Sequence, residues 1–319
     1  MTVKKEFKEK LLNKNPFEKV MGQEQQKKQL ISALLTDRHV LILGNPGIGK
    51  TTLAKNVSDL LPDIKEDGQT MRGEDRFIRV QGSPDLTVED LLGDIDPIKA
   101  LEFGPLSKEA FTPGKIFKAD NGILFFDELN RCPEKLQNAL LQVLQEGYAT
   151  IGGYDVDFST NFIFIATMNP EDSSTEKISD VLLDRFDVIY MDYPESQKIE
   201  ENIVSTYGTI TEGIEVQDKI TTYIIKFIRL LRKDSRVDKK PSVRASLGLY
   251  ERSQSNALLA GRKKVNLNDV RDAMLSVLAH RISLKPSIKY NMSPTELLRQ
   301  EFDSFLNTQN ETLEEGDSP

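Results

Sequence analysis

Leu41-Ile42-Leu43-Gly44-Asn45-Pro46-Gly47-Ile48-Gly49-Lys50-Thr51-Thr52 decides how this chain is read. A short apolar strand turns through three glycines into a helical pattern carried by Leu53, Ala54, Val57, Leu60 and Leu61. This is the phosphate-loop spacing G-x-x-x-x-G-K-S/T in the strand–loop–helix context that it requires. Gly44, Gly47 and Gly49 let backbone N–H groups turn inward around phosphate oxygens without Cβ clashes. The helix that follows aims its positive end at the same anion. Lys50 supplies a point charge to the β- and γ-phosphates, and the Thr51 hydroxyl can ligate Mg²⁺. Asn45, Pro46, Ile48 and Thr52 complete the cradle, so the chain is expected to bind a nucleoside triphosphate.

Working outward, Gly122-Ile123-Leu124-Phe125-Phe126-Asp127-Glu128 gives the second signal. Four consecutive apolar residues describe a strand buried on both faces, as in a parallel sheet. Two carboxylates follow at its carboxyl end, where such sheets place ligands. Asp127 is placed to hold Mg²⁺, directly or through water. Glu128, expected on the opposite side of the strand axis, can act as general base on the attacking water. A further buried strand, Phe162–Thr167, ends at Met168-Asn169-Pro170, which sets Asn169 beside the expected γ-phosphate. Ahead of the first strand, Val20-Met21-Gly22-Gln23 is turn-like. Met21 and Gly22 could line an adenine pocket, although the residues alone do not separate this from a plain helix start.

The rest of the chain frames these segments. At 319 residues two domains are expected: an α/β nucleotide-binding domain over 1–193 with helices flanking a parallel sheet, and a helical domain over 194–307. The boundary is placed at Tyr193-Pro194. Residues 83–120, broken by Gly93, Pro97, Gly104, Pro105, Pro113 and Gly114, are expected to form an inserted hairpin or loop. Short strand-like pieces around Gly152-Gly153 suggest a hairpin over 149–158. Residues 308–319, polar and acidic, are expected to lack order.

Bulk numbers narrow the function further. A net charge of −8 argues against a general nucleic-acid binder. The basic run Lys226, Arg229, Arg232, Lys233, Arg236, Lys239 and Lys240 is read as a solvated helix face and loop. No apolar run reaches the length of a membrane span, and the N-terminus lacks the apolar region of a secretory signal. A single cysteine, Cys132, excludes an internal disulfide and fits a reducing cytoplasm. His39 and His280, far apart and without ligand spacing, are read as structural.

The order of parts is similar to that of the AAA+ ATPases. Phe125-Phe126-Asp127-Glu128-Leu129-Asn130-Arg131, Ala166-Thr167-Met168-Asn169-Pro170, Leu182-Leu183-Asp184-Arg185-Phe186-Asp187 and Val243-Arg244-Ala245-Ser246 follow the phosphate loop in sequence. Within that family the chain resembles the MoxR and magnesium-chelatase ATPase-subunit group, from about Val20 to about Ser283. Met168 departs from the Gln common there and leaves the chemistry untouched. The resemblance implies that Asn169 is sensor 1, that Arg185 is an arginine finger reaching a neighbouring subunit's nucleotide, and that Arg244 is sensor 2. Arg131 is a weaker candidate for a role across an interface. It further implies ATP and Mg²⁺ as ligands and a homo-oligomeric, hexameric ring. The expected partner is a separate von Willebrand A-domain or chelatase-type protein. Three uses of ATP remain open: remodelling or assembly of a partner protein or metal-dependent complex, the motor subunit of a tetrapyrrole metal chelatase, and a nucleic-acid motor.

Overall fold

The computed structural model describes residues 2–66, 68–104, 107–150, 157–170 and 178–316. The chain divides into two compact units, Met1–Asp192 and Tyr193–Pro319. The first is built on a five-stranded parallel sheet. Its strands are β1 (His39–Leu43), β2 (Phe77–Gln81), β3 (Ile123–Asp127), β4 (Ile163–Met168) and β5 (Phe186–Tyr190), in the order β5-β1-β4-β3-β2. Continuous burial of Val40–Leu43, Ile123–Phe126 and Phe164–Thr167 explains why these segments read as near-unbroken apolar runs. They are central strands with helices on both faces.

Helices α1 (Thr2–Leu11), α2 (Glu24–Leu35), α3 (Lys50–Ser58) and α4 (Glu134–Glu146) belong to this unit. The mostly charged α1, which carries no clear periodic signal, anchors through buried Phe7 and Leu11. α4 buries Leu136, Leu140 and Val143 at helical spacing against the Phe126–Phe164 side of the sheet. His39 lies half-buried, edge-on to Phe164 with ring centroids 6.2 Å apart, and desolvation lowers its pKa, which fits a structural role.

Within 83–120, Gly93–Ile95 pairs antiparallel with Phe111–Pro113, and a helix over Pro97–Phe103 sits between them. The segment thus carries a short antiparallel pair and a helix between its strands. Tyr148–Thr150 pairs antiparallel with Asp157–Ser159, giving the arms of the second hairpin. Its Gly152-Gly153 turn lies outside the described residues.

The second unit is helical: α5 (Gln197–Tyr207), α6 (Asp218–Lys233), α7 (Val243–Leu259), α8 (Leu267–Leu278) and α9 (Pro294–Gly316). α6 contributes Tyr223, Ile224, Phe227, Ile228 and Leu231 to a core closed by Phe302 and Phe305. Asn266 caps α8, accepting from Asn268 N at 2.9 Å and Asp269 N at 3.2 Å.

α9 runs to Gly316, past residue 307 at which the helical domain was expected to end. One expectation changes here. The basic run on α6 and after it is not simply a solvated face: Arg232 is buried, and Arg229, Arg232 and Arg236 make internal ion pairs. No helix among the described residues is long and apolar enough to cross a membrane.

Candidate functional site

Parallel strands put every carboxyl end on one edge of a sheet. Here that edge gathers the phosphate loop after β1, Asn169 after β4 and the acids after β3 on three neighbouring strands.

The loop's geometry depends on Gly44. A Cβ there would meet the Met191 carbonyl oxygen at 2.4 Å and Ile48 Cδ1 at 2.6 Å, and Gly44 N donates to Met168 O at 3.2 Å. Gly47 and Gly49 take positive φ, 78° and 99°. Ile48 is buried, which anchors the loop from below, while Pro46 is exposed at its tip. Lys50 Nζ folds back onto the carbonyls of Gly44 and Asn45, the latter at 3.1 Å. Thr51 is half-buried in the first turn of α3, and Thr52 next to it is exposed. The Gly22 turn is tied to the same neighbourhood by the chain that follows β5. Gln23, in the left-handed region at φ 59°, donates through Nε2 to Asp192 O at 2.7 Å. Met191 N donates to Leu43 O at 2.8 Å. Met21 and Gly22 therefore flank a segment that touches the loop's first glycine.

Asp127 ends β3, and both of its carboxylate oxygens accept hydrogen bonds: Oδ1 from Thr167 Oγ1 at 2.5 Å and Oδ2 from Arg79 at 2.6 Å. Glu128 is not oriented by strand alternation, as its sequence position suggested. The strand has ended, and Glu128 sits in the left-handed region at φ 57°, opening a 3₁₀ turn over Leu129–Arg131. A non-glycine residue there costs conformational energy, and such positions cluster at functional sites. Its N–H donates to Thr167 Oγ1 at 3.1 Å. Its Oε2 accepts from Gln81 Nε2 at 2.8 Å and pairs with Arg131 at 3.1 Å. Thr167 thus fixes both acids, accepting from one and donating to the other. Asn169 is half-buried, with its carbonyl 3.4 Å from Asn130 Nδ2.

The sequence did not single out Arg79, Gln81 or Gly82. The first two lie on one face of β2, whose Phe77–Gln81 stretch pairs with β3 in register, Gln81 opposite Asp127. Gly82 N donates to Asp127 O at 2.7 Å, and a Cβ on Gly82 would sit 2.0 Å from the Glu128 carbonyl oxygen. Only glycine lets the exit of β2 approach the backbone of the acids this closely. The alternation of Ile78 and Val80 with Arg79 and Gln81 was the available signal.

One expected site residue lies away from this cluster. Arg185 precedes β5, at the sheet's opposite edge, beside the start of β1 where Phe186 pairs with His39. The five residues of β5 span about 17 Å, so Arg185 cannot serve the phosphate loop of its own chain. Its Nε is buried without a hydrogen-bond partner among the described residues. Arg244 is exposed in the first turn of α7, in the second unit.

The loop, Lys50, Thr51 and Asp127 fit a Mg–nucleoside triphosphate. Lys50 brings a positive charge for phosphate, and the Thr51 hydroxyl and Asp127 carboxylate are the oxygen ligands that Mg²⁺ takes. The described residues hold no cluster of three or more His, Cys, Asp or Glu that could bind a metal, so an ion here would take few protein ligands and complete its shell with phosphate and water.

Comparison with known proteins agrees. Residues 39–186 match the family described as AAA domain (dynein-related subfamily), and residues 237–300 match the AAA lid domain. The chaperone MoxR1 of Mycobacterium tuberculosis is 28% identical over 295 residues, covering 83% of this chain and 73% of that protein. The magnesium-chelatase subunit ChlI homolog of Methanocaldococcus jannaschii is 26% identical over 347 residues, covering 92% and 90%. Among solved structures, the RuvB Holliday junction branch migration motor of Thermotoga maritima aligns with a TM-score of 0.50 at 19% identity, covering 81% of this chain and 70% of that one, a likeness of fold. With a nucleotide-loop α/β unit followed by a helical lid, the chain belongs to the AAA+ ATPases, in the group that includes MoxR and the magnesium-chelatase subunit ChlI.

Proposed function

We propose that the chain binds and hydrolyses ATP as one subunit of a homo-oligomeric ring in the cytoplasm, and uses turnover to remodel or assemble a partner protein or metal-dependent complex. The observation that carries this reading is the convergence of the phosphate loop, the acid pair and Asn169 on three adjacent strand ends. In it, the loop backbone from Gly44 to Thr52 cradles the phosphates and Lys50 exchanges its loop carbonyls for phosphate oxygens. Met21 and Gly22 line the base. Bound Mg²⁺, held by Thr51 and Asp127, would neutralise phosphate charge. Glu128 takes the proton of the attacking water, and Asn169 orients that water.

Arg185, too far along β5 for its own nucleotide, is assigned to the γ-phosphate of the neighbouring subunit, which makes the ring, taken as a hexamer, part of the mechanism. Arg244 is assigned to the nucleotide as well. A von Willebrand A-domain or chelatase-type protein is the partner class that fits the group. The second reading, the ATPase motor of a tetrapyrrole metal chelatase, is favoured by the ChlI homolog's match across 92% of the chain. A nucleic-acid motor is opposed by the net charge of −8.

Glu128→Gln tests the site. The variant should bind ATP and assemble like the parent while turnover falls about 10²–10⁴-fold, the range of a lost general base. Wild-type turnover in that variant removes Glu128 as base, and failure of the parent chain to bind ATP removes the whole reading. The same variant, holding ATP, is suited to capturing the partner.

A further inference from the structure

Asp127 is the acid on which the metal ion depends, yet Arg79 already occupies one of its two oxygens. Arg79 reaches Asp127 Oδ2 at 2.6 Å, while Thr167 takes Oδ1. The same Arg79 nitrogen lies 3.3 Å from Gln81 Oε1, and Gln81 in turn donates to Glu128. One guanidinium therefore stands between the metal-ligand acid and the base. The neutral Thr167 hydroxyl can stay on Oδ1 when a cation binds Oδ2. Arg79 cannot stay, because a divalent ion on Oδ2 would sit within a few ångström of a fixed positive charge in a partly desolvated site. It also has somewhere to go: its side chain is 53% exposed, against 14% for Asp127.

We propose that Arg79 is the resident counter-ion of Asp127, displaced when Mg²⁺ arrives, and that it sets the Mg²⁺ concentration at which nucleotide is held. This rests on the phosphate-loop reading above. An arginine suits the task because it stays charged and a single terminal nitrogen reaches Asp127 and Gln81 together.

The test uses the full chain and a fluorescent, non-hydrolysable ATP analogue, titrated with Mg²⁺. Arg79→Ala and the more conservative Arg79→Gln should each lower the Mg²⁺ concentration at half-saturation by about three- to tenfold, the range for losing a partly exposed charged competitor. Affinity for the analogue in EDTA should not change. Arg79→Lys should fall between these variants and the parent. A merely structural ion pair would leave the Mg²⁺ midpoint where it was, and that result in both neutral variants overturns the inference. A raised midpoint, or weaker binding in EDTA, also overturns it, because Arg79 would then be assisting the ligand. Loss of analogue binding in Lys50→Ala shows that the signal reports the loop. If the parent chain itself binds no analogue, the phosphate-loop reading fails and this inference with it. If the parent binds with a Mg²⁺ dependence that the Arg79 variants share, only the inference fails.

Discussion

Two carboxylate clusters in this molecule use the same chemistry and differ in burial. At the sheet edge, Asp127 and Glu128 are held by Arg79, Gln81, Thr167 and Arg131, and the two arginine side chains are 53% and 42% exposed. In the helical unit, Glu200 on α5 has no exposed surface. Arg232 donates to both of its oxygens at 2.7 Å, Ser246 Oγ donates at 2.7 Å, and Arg229 stands 3.6 Å away. Arg232 also donates to Pro241 O at 2.8 Å and lies over the Tyr193 ring at 4.6 Å. The Arg79, Gln81 and Arg131 arms at the sheet edge reach water and are individually weak, so an incoming ligand can exchange with them, while Thr167 is buried. Around Glu200, Arg232 and Ser246 are committed in a dry interior, and removing the acid strands a buried charge. Burial, more than residue type, separates the acids available for chemistry from the acid that organises a fold.

The largest effect expected should bypass stability. Arg185→Ala should cut ATP turnover of the assembled protein by about 10³–10⁵-fold, or about 4–7 kcal/mol of barrier. ATP affinity and denaturation midpoint should stay near the parent's. Full activity in that variant would move the role to another residue, Arg131 being next considered, although Arg131 already pairs with Glu128 in its own chain. The comparison is sharper for the acids themselves. Glu200→Ala should cost about 3–5 kcal/mol of stability by leaving Arg232 buried and unpaired. Glu128→Ala should cost under about 1 kcal/mol, since its partners reach water. Chemical denaturation of the two full-length variants measures this directly. Equal losses would mean that burial does not divide the clusters.

What the sequence disclosed follows the same division. The phosphate loop was legible because phosphate binding needs glycine backbone at fixed spacing, and the central strands because burial on both faces leaves apolar runs. Arg79, Gln81 and Gly82 were not legible, because their importance arises from register between β2 and β3, with more than forty residues between the paired positions. Arg232 was read as a surface cation because helical spacing does not say whether a charge faces water or a buried glutamate on another helix. Glu128 was given a strand's alternation when the chain had already turned left-handed.

Between the two extremes stands a third cluster, and it supplies the smallest effect. Asp234, at the end of α6, accepts from Arg236 Nε at 3.0 Å, from its Nη2 at 2.6 Å and from its backbone N at 2.8 Å; the same guanidinium reaches Glu301 on α9 at 2.5 Å. Asp234 is 7% exposed and Arg236 34%. The Arg236 hydrogen bonds hold the Asp234 carboxyl below its ordinary value against the opposing push of burial. A folded-state value below the unfolded one means that the unfolded chain takes up protons first as pH falls. The stabilisation is therefore fully present above the ordinary aspartate range near pH 4 and fades as pH drops through the folded value. Asp234→Asn should lower stability by about 1 kcal/mol at pH 7, and the gap to the parent should close in acid. Urea midpoints of both full-length proteins at pH 7 and below pH 4 decide it. A gap that does not change with pH would assign the clamp to hydrogen-bond geometry alone and remove the charge of Asp234 from the account.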